Sequence, residues 1–583
     1  MDIAVLEINL FSRKDLTNAP APGVWDLVAC VFIMFFLFGF AYLVNQMLVP
    51  FDIVQNITID LEPSSLPYYC LRSVIRIFLA LIISVFFSFV VGYAAAKSKL
   101  AERIIIPAID IFQSVPPLGF LSLGVWGFLI LFPGSLLGPE CAAILVIFTA
   151  QVWNMTLSFY QSLRMLPKSL REAAKILRMS AWQQFWMVEV PYAIPGLLWN
   201  AMLSISASWF FVVASEAIDI NNHVILLPGV GSYIAVAIKT ANTEAIIWAI
   251  VAMFSTILIY DQLIFRPIML WSNKFKSSVS EDHSSSSFIS RIMSRAGFIQ
   301  FLFKHIKMFF NAMLLSPPTR KIMPHKKSSR YLGKSVADCM GWLIIVIMIY
   351  SLISAAMFCL HFFETYLVLA DLKETLYLGA VSAIKILILV MICTIFWVPV
   401  GVWIGLKVNM ASKIQPVIQI LAAFPANLLF PFFASIIITY DLNKDIWLSP
   451  LMILGTQWYI LFNVIAGASA LPDEQQYAVK SLGLKKSLWW RKFILPGIFS
   501  HLITGIITAT GGAWNASIIA EAVNWGSTSL YATGLGAYIT YSARHGNNIK
   551  LVLGIVVMCF YVLLINRLLW QPLYNFSQKR FSN

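Results

Sequence analysis

The residue types able to do chemistry in this sequence are few, and they recur as two similar sets. Ser204, Ser206, Ser208 and Trp209 run toward Glu216 in one, and Thr504, Thr508, Thr510, Trp514 and Asn515 run toward Glu521 in the other. Hydroxyls beside a long-sided aromatic can hold a small polar anion by hydrogen bonds without a permanent charge, which permits release. The same small residues also pack membrane helices, so the pattern fits either use. An acidic residue closing an apolar stretch is a functional candidate: it can gate, receive a docking protein, or sit in interfacial water. Other chemistries fail on spacing. Gly333-Lys334-Ser335 ends like a phosphate-binding loop, but Ser328 stands where the first Gly belongs and no strand precedes it. Cys30, Cys359, Cys393 and Cys559 lie in apolar runs as packing thiols, without a disulfide framework or metal-ligand spacing. Neither a catalytic nor a metal site is expected.

The elements that must position these residues are membrane spans. The chain is 59% hydrophobic and 12% charged, with a mean hydropathy of +0.80. A soluble domain has about 25% charged residues, and a barrel would alternate polar and apolar positions. Continuous apolar runs lie near 24–48, 74–96, 104–132, 141–160, 193–216 and 245–270. They recur near 338–363, 376–406, 414–439, 446–468, 498–521 and 549–571. The expected architecture is all-α with twelve spans, each long enough for a hydrocarbon core of about 30 Å. Residues 1–271 form the first unit, 272–335 a cytoplasmic linker and 336–583 the second unit. The linker carries Ser284 to Ser287, Pro317-Pro318 and many basic residues. Its segment 296–315 is apolar, but Lys304, His305 and Lys307 at its centre favour an interfacial amphipathic helix.

The two units are copies. Moving 305 residues along the chain matches Leu166-Pro167 with Leu471-Pro472, Pro191 with Pro496, and Trp209 with Trp514. The same register pairs Glu216-Ala217 with Glu521-Ala522, Gly231 with Gly536, and Tyr233 with Tyr538. Earlier, an offset of 309 pairs Ser73 and Arg76 with Ser382 and Lys385, Gly92 with Gly401, and Pro116 with Pro425. Accidental matches between apolar sequences do not place Trp, Pro and Glu in one register. An even number of spans inserts both copies the same way up, related by a pseudo-twofold axis along the membrane normal. The net charge of +14 has a topological cause. Basic residues collect in the loops after the second and fourth spans, which puts those loops, the linker and both termini in the cytoplasm.

The loop after the fourth span, 161–191 and again 469–496, is the most informative stretch. Leu166, Leu170, Ala173, Ala174 and Leu177 fall at helical spacing with basic residues between them, a short amphipathic helix outside the membrane. Glu172-Ala173-Ala174, followed by Val190-Pro191 and the Trp209 to Glu216 span, resembles the EAA loop of ABC importer permeases. Ala478, Gly483, Leu495-Pro496, Trp514 and Glu521 resemble it again. With Ser73, Arg76, Pro107 and Pro116-Pro117, the chain looks most like the nitrate, sulfonate and taurine branch of the type I permeases. The copies depart from the family pattern at different points, with Arg178 in place of Gly and Tyr477 in place of Glu.

The resemblance implies a fused pair of type I permease units in the inner membrane, importing a small anion. Leu170, Glu172, Ala173, Ala174, Leu177 and Arg178 in one copy would dock an ATPase subunit. Tyr477, Ala478, Val479, Leu482 and Gly483 would do so in the other. On the same plan Ser204, Ser208, Trp209, Glu216, Thr508, Trp514, Asn515 and Glu521 line the pathway. The chain itself would bind no cofactor, since ATP and Mg belong to the two ATPase partners. A periplasmic or extracellular substrate-binding protein completes the system, and nucleic acid has no part in it. The rival is a secondary transporter of major-facilitator type, which also has two parallel six-span halves. Its basic signature would lie between the second and third spans, where this chain has only a short loop.

Overall fold

A computed structural model describes residues 58–265 and 369–581, apart from 178, 221–222 and 484–485, together with scattered positions at 46, 268 and 342–357. The expected spans 24–48 and 338–363, the linker with its segment 296–315, and Arg178 lie wholly or largely outside the described residues. The first long helix of the first unit among the described residues is α1 (Leu66–Lys97), started by Pro67 in its first turn. Its 32 residues make a rod of about 48 Å, longer than the hydrocarbon layer. The run expected at 104–132 is broken. α2 (Lys99–Ser114) stops where Val115 turns extended ahead of Pro116-Pro117, and α3 (Leu121–Leu131) resumes after a single turn. α4 (Leu137–Met165), α5 (Lys168–Ile176), α6 (Val190–Glu216), α7 (Val230–Lys239) and α8 (Thr243–Tyr260) follow.

The second unit repeats the plan with α9 (Leu369–Gly405), α10 (Val408–Ala423) and α11 (Phe430–Thr439). α10 and α11 are bent by 70° at Pro425, the counterpart of the break at Pro116. The fourth run is also broken: two short turns, Lys444–Trp447 and Leu451–Leu454, precede α12 (Gln457–Ser469) with a 43° bend. α13 (Asp473–Ser481), α14 (Leu495–Ala520), α15 (Leu535–Arg544), α16 (Asn548–Ile565) and α17 (Gln571–Phe581) complete it. Wide π-helical turns fall at matching places, Phe185–Glu189 with Trp490–Ile494 and Asp261–Phe265 with Asn566–Trp570. The first pair sits just before Pro191 and Pro496, which cannot donate in a regular helix.

Among the described residues seven helices are long and apolar enough to cross a membrane, nine if each bent pair counts as one. Two β-hairpins depart from the all-α expectation. β1 (Ala217–Ile220) pairs antiparallel with β2 (His223–Leu226), and β3 (Ala522–Trp525) with β4 (Thr528–Tyr531), each straight after a fifth-span helix. β-Branched residues in both explain the extended backbone, which the surrounding apolar periodicity had hidden.

Within each unit the long second-span helix packs on the fourth-span helix, and that helix on the fifth: α1 on α4 on α6, and α9 on α12 on α14. A Cβ at Gly92 would strike Phe159, and one at Gly401 would strike Val464, so both glycines serve these close contacts. Across the units the packing is reciprocal. α2 meets α16 and α10 meets α8, while β3 meets α7 and β1 meets α15. Such exchange is the signature of a pseudo-twofold pair.

Candidate functional sites on the fifth-span helices

The basic amphipathic helix expected after the fourth span is α5. Leu170, Glu172, Ala173 and Leu177 are exposed, and so are Ile176 and the following Trp182. Ala174 is buried at 2% exposure, so the Ala pair splits into one outward and one inward residue. Arg171 turns back and donates to the Leu163 carbonyl at 2.8 Å, fastening α5 to the end of α4. Beyond the loop, the buried Glu189 accepts from Lys97 Nζ at 2.5 Å and from Gln184 Nε2 at 2.9 Å. This ties the base of α6 to the end of α1. In the second unit Tyr477, Leu482 and Gly483 of the α13 region are exposed, Val479 is half-buried, and Ala478 lies on the helix. Position 494, which matches Glu189, is Ile, so the second unit lacks that tie.

The pathway candidates separate into two kinds. In α6, Ser204, Ser208 and Trp209 are packed inside the unit. Ser208 accepts from Gln151 Nε2 at 2.8 Å and donates to the Ser204 carbonyl, Ser204 donates to the Gln151 carbonyl, and Trp209 Nε1 donates to Tyr260 Oη at 3.2 Å. Trp514 is equally buried in α14. By contrast Thr504 and Thr508 are exposed and Asn515 is half-buried, and a Cβ at Gly511 would meet open space. Positions 504, 508, 511 and 515 share one helical face. The residues of α6 at matching positions are Trp199, Leu203, Ser206 and Phe210, so the two faces differ in polarity.

Glu216 and Glu521 are fully buried, which removes the reading that they sit in interfacial water. Each is the centre of a cage at the end of the bundle remote from α5 and α13. Glu216 accepts from Ser73 Oγ at 2.6 Å, from Arg76 Nη1 at 2.5 Å and from the Gly231 amide at 2.6 Å. Arg76 also reaches Glu140 through Nε at 2.5 Å and Nη2 at 2.7 Å, and Arg72 donates to the same carboxylate at 3.0 Å. Two guanidinium groups thus face two carboxylates, all within 1% exposure, and the buried cluster is neutral.

The second cage keeps the plan with weaker chemistry. Glu521 accepts from Ser382 Oγ at 2.8 Å and from the Gly536 and Ala537 amides at 2.6 and 3.3 Å. Lys385, matching Arg76, instead donates to the Thr533 carbonyl at 2.8 Å and lies 4.0 Å from Asp445. A Cβ at Gly231 would run into the Val213 carbonyl and one at Gly536 into the Ser517 carbonyl, so the turn must be glycine. Sequence reasoning missed Glu140, Arg72, Glu189 and Asp445. The repeated Ser73-Arg76 and Ser382-Lys385 pairs were the signal available, because a cation recurring inside a span demands a buried anion.

A duplicated helical bundle, with an exposed amphipathic helix at one end of each fifth span and a caged carboxylate at the other, defines a polytopic membrane transport component. Residues 63–265 and 397–571 each match the binding-protein-dependent transport system inner membrane component family, and the chain belongs to that family as a tandem of two permease units. The family consists of permease components, not enzymes. The taurine transport system permease protein TauC of Escherichia coli is 29% identical over 175 residues, 30% of this chain and 61% of its own length. The nitrate import permease protein NrtB of Synechocystis is 24% identical over 173 residues, and the bicarbonate transport system permease protein CmpB of Synechococcus elongatus 22% over 174. Each of those two matches covers 30% of this chain and 58% of the relative. The chain therefore spans about three-fifths of the curated relatives it matches. The match does not favour a major-facilitator carrier.

Proposed function

We propose that this chain forms the whole translocation pathway of an ATP-driven importer for a small anion, working by alternating access. The observation that carries this is the repeated placement of a surface helix, α5 or α13, joined to each fifth-span helix by only a short helical turn and a π-helical turn, where push from a partner passes into α6 or α14. Exposed Leu170, Ile176 and Leu177 on an otherwise basic α5 suit a cleft with an apolar floor and acidic rim. One ATPase subunit docks there and a second on α13. Twelve spans in two six-helix units, 1–271 and 336–583 joined by the linker 272–335, put the docking helices and both termini in the cytoplasm. A substrate-binding protein delivers the solute to the opposite face.

The pathway lining assigned here is the Thr504, Thr508, Gly511 and Asn515 face of α14, opposed by the more apolar face of α6. The anionic substrate class is carried over from the taurine, nitrate and bicarbonate permeases. Proteoliposomes holding the purified complex test the reading. Uptake of labelled nitrate, taurine or bicarbonate should require internal or external ATP on the docking-helix side and persist without an ion gradient. Gradient-driven uptake by this chain alone would overturn it.

A further inference from the structure

Each hairpin packs on its own unit, β3 on α11 and β1 on α3, and also reaches across to the other. The Gly526 amide, in the turn between β3 and β4, donates to the Ile238 carbonyl at the end of α7 at 2.9 Å. β3 packs on α7, and β1 packs reciprocally on α15. Two four-residue strands do not hold a hairpin in place by themselves, so its position is set by its root, by the helices of its own unit that flank it and by what its strands meet across the units. The root is the caged glutamate. The Glu216 carbonyl accepts from the Leu227 amide at 2.9 Å and from Ser232 Oγ at 2.7 Å, while its carboxylate accepts from the Gly231 amide. One residue thereby fixes the exit strand of the hairpin and the first turn of α7 together. Glu521 does the same with the Ala532 amide at 2.8 Å and the Gly536 amide. Ser73 and Ser382 close each cage by accepting from the Val230 and Leu535 amides.

We propose that Glu216 and Glu521 are positioning residues for a gate at the end remote from the docking helices: each aims a hairpin at the other unit, and these crossed hairpins must part for solute to enter. The proposal rests on the transport reading above. It adds the location of the gate and the residues that set it. The two roots are unequal, because Arg76 clamps Glu216 whereas hydroxyl and amide donors alone reach Glu521 among the described contacts. The β3–β4 hairpin is accordingly the one that yields first.

The test uses the full chain in membranes, with its seven native cysteines replaced. A Cβ at Gly526 lies 3.7 Å from the Ala241 Cβ. Gly526→Cys with Ala241→Cys, joined by a short bismaleimide, should hold the two units together after the linker is cut at an inserted protease site. A flexible spanner is used because φ is 58° at Gly526 and 51° at Ala241, which need not suit a disulfide. Glu521→Gln should lower the joined fraction at least threefold and Glu216→Gln should lower it less, both scored on protein that remains monodisperse, with Glu521→Asp in between. In parallel, a lone cysteine at Thr508 should react with an impermeant thiol reagent added opposite the docking helices several times faster in Glu521→Gln than in the parent. A joined fraction unchanged by either glutamine, or no joining in the parent, overturns the positioning role. Reduced joining with unchanged labelling overturns the gate. A Thr508→Cys that labels from neither side in any background counts against the pathway reading, while the joined fraction still decides the positioning role.

Discussion

Arg76 and Lys385 occupy the same place in the two copies, yet replacing each with Met should have unequal cost. Arg76 is fully buried and makes four hydrogen bonds, two to Glu140, one to Glu216 and one to the Pro228 carbonyl at 2.9 Å. Arg76→Met keeps the stem volume and removes the charge, leaving two buried carboxylates with only Arg72 between them. Breaking a buried pair from one side costs about 3–5 kcal/mol. Lys385 is 16% exposed and its partner Asp445 39%, at 4.0 Å. Lys385→Met should lose an exposed ion pair of about 0–1 kcal/mol and one ordinary hydrogen bond of about 1 kcal/mol. The difference, about 2–3 kcal/mol, is roughly a 30- to 160-fold change in the unfolding equilibrium. Tryptophan fluorescence during unfolding in mixed micelles reads it. Arg76→Met with Glu216→Gln should recover at least 1 kcal/mol of the single-mutant loss, because the remaining cluster is neutral again. Equal destabilisation by the two Met variants, or no recovery in the double variant, would refute the assignment of the two cages as strong and weak.

Ala173→Glu changes an exposed residue of α5 and should leave stability within about 0.5 kcal/mol while lowering ATP-driven uptake. Ala174→Glu puts a charge at a buried site and should reduce the folded yield in membranes, so only the first is a clean probe of docking. Trp209→Phe should cost about 1 kcal/mol more than Trp514→Phe in thermal unfolding, since Trp209 Nε1 loses its bond to Tyr260 and Trp514 Nε1 has no partner to lose. Gly231→Ala and Gly536→Ala each drive a methyl into a backbone carbonyl and should destabilise by about 1–3 kcal/mol; a neutral result by the same assay would show that the turn can shift.

Much of this was legible in the sequence because it is written in period and repeat. The positions of α1, α4, α6 and α14 follow from apolar runs, and α5 from apolar residues at helical spacing with Lys and Arg between. The breaks at Pro116 and Pro425 fall where proline lacks the amide a helix needs, inside runs that hydropathy alone reads as continuous. The interior of the fourth run in the second unit was not legible, because Pro450 and Gly455 are few among many apolar residues and nothing local says that the chain bends there. The hairpins lie just beyond the fifth runs, which close at Glu216 and Glu521; their β-branched residues, such as Ile218, Ile220, Val224 and Ile225, fall in stretches too short for periodicity to declare a strand. Which face of α6 or α14 is packed was also out of reach. Ser204 and Ser208 look like Thr508 in composition, and Gln151, the partner that buries Ser208, lies 57 residues away.

Duplication within one chain explains how such different chemistries coexist at matching positions. In a homodimer a single residue must serve both copies of a site, so an Arg clamp on one hairpin imposes the same clamp on the other. Fusion removes that constraint. Glu140 faces Arg76 in the first unit while the more exposed Asp445 faces Lys385 in the second, and Glu189 ties down one docking loop while Ile494 leaves its counterpart without that tie. Both differences make the first unit the more tightly bound at its two ends. If the hairpins part and the docking helices move as proposed, the second unit should carry the larger displacement at both faces. Hydrogen exchange of the described segments then has a definite expectation, with faster exchange at the β3–β4 hairpin and α13 than at the β1–β2 hairpin and α5. Equal exchange rates at all four would mean that the unequal clamps do not bear on motion.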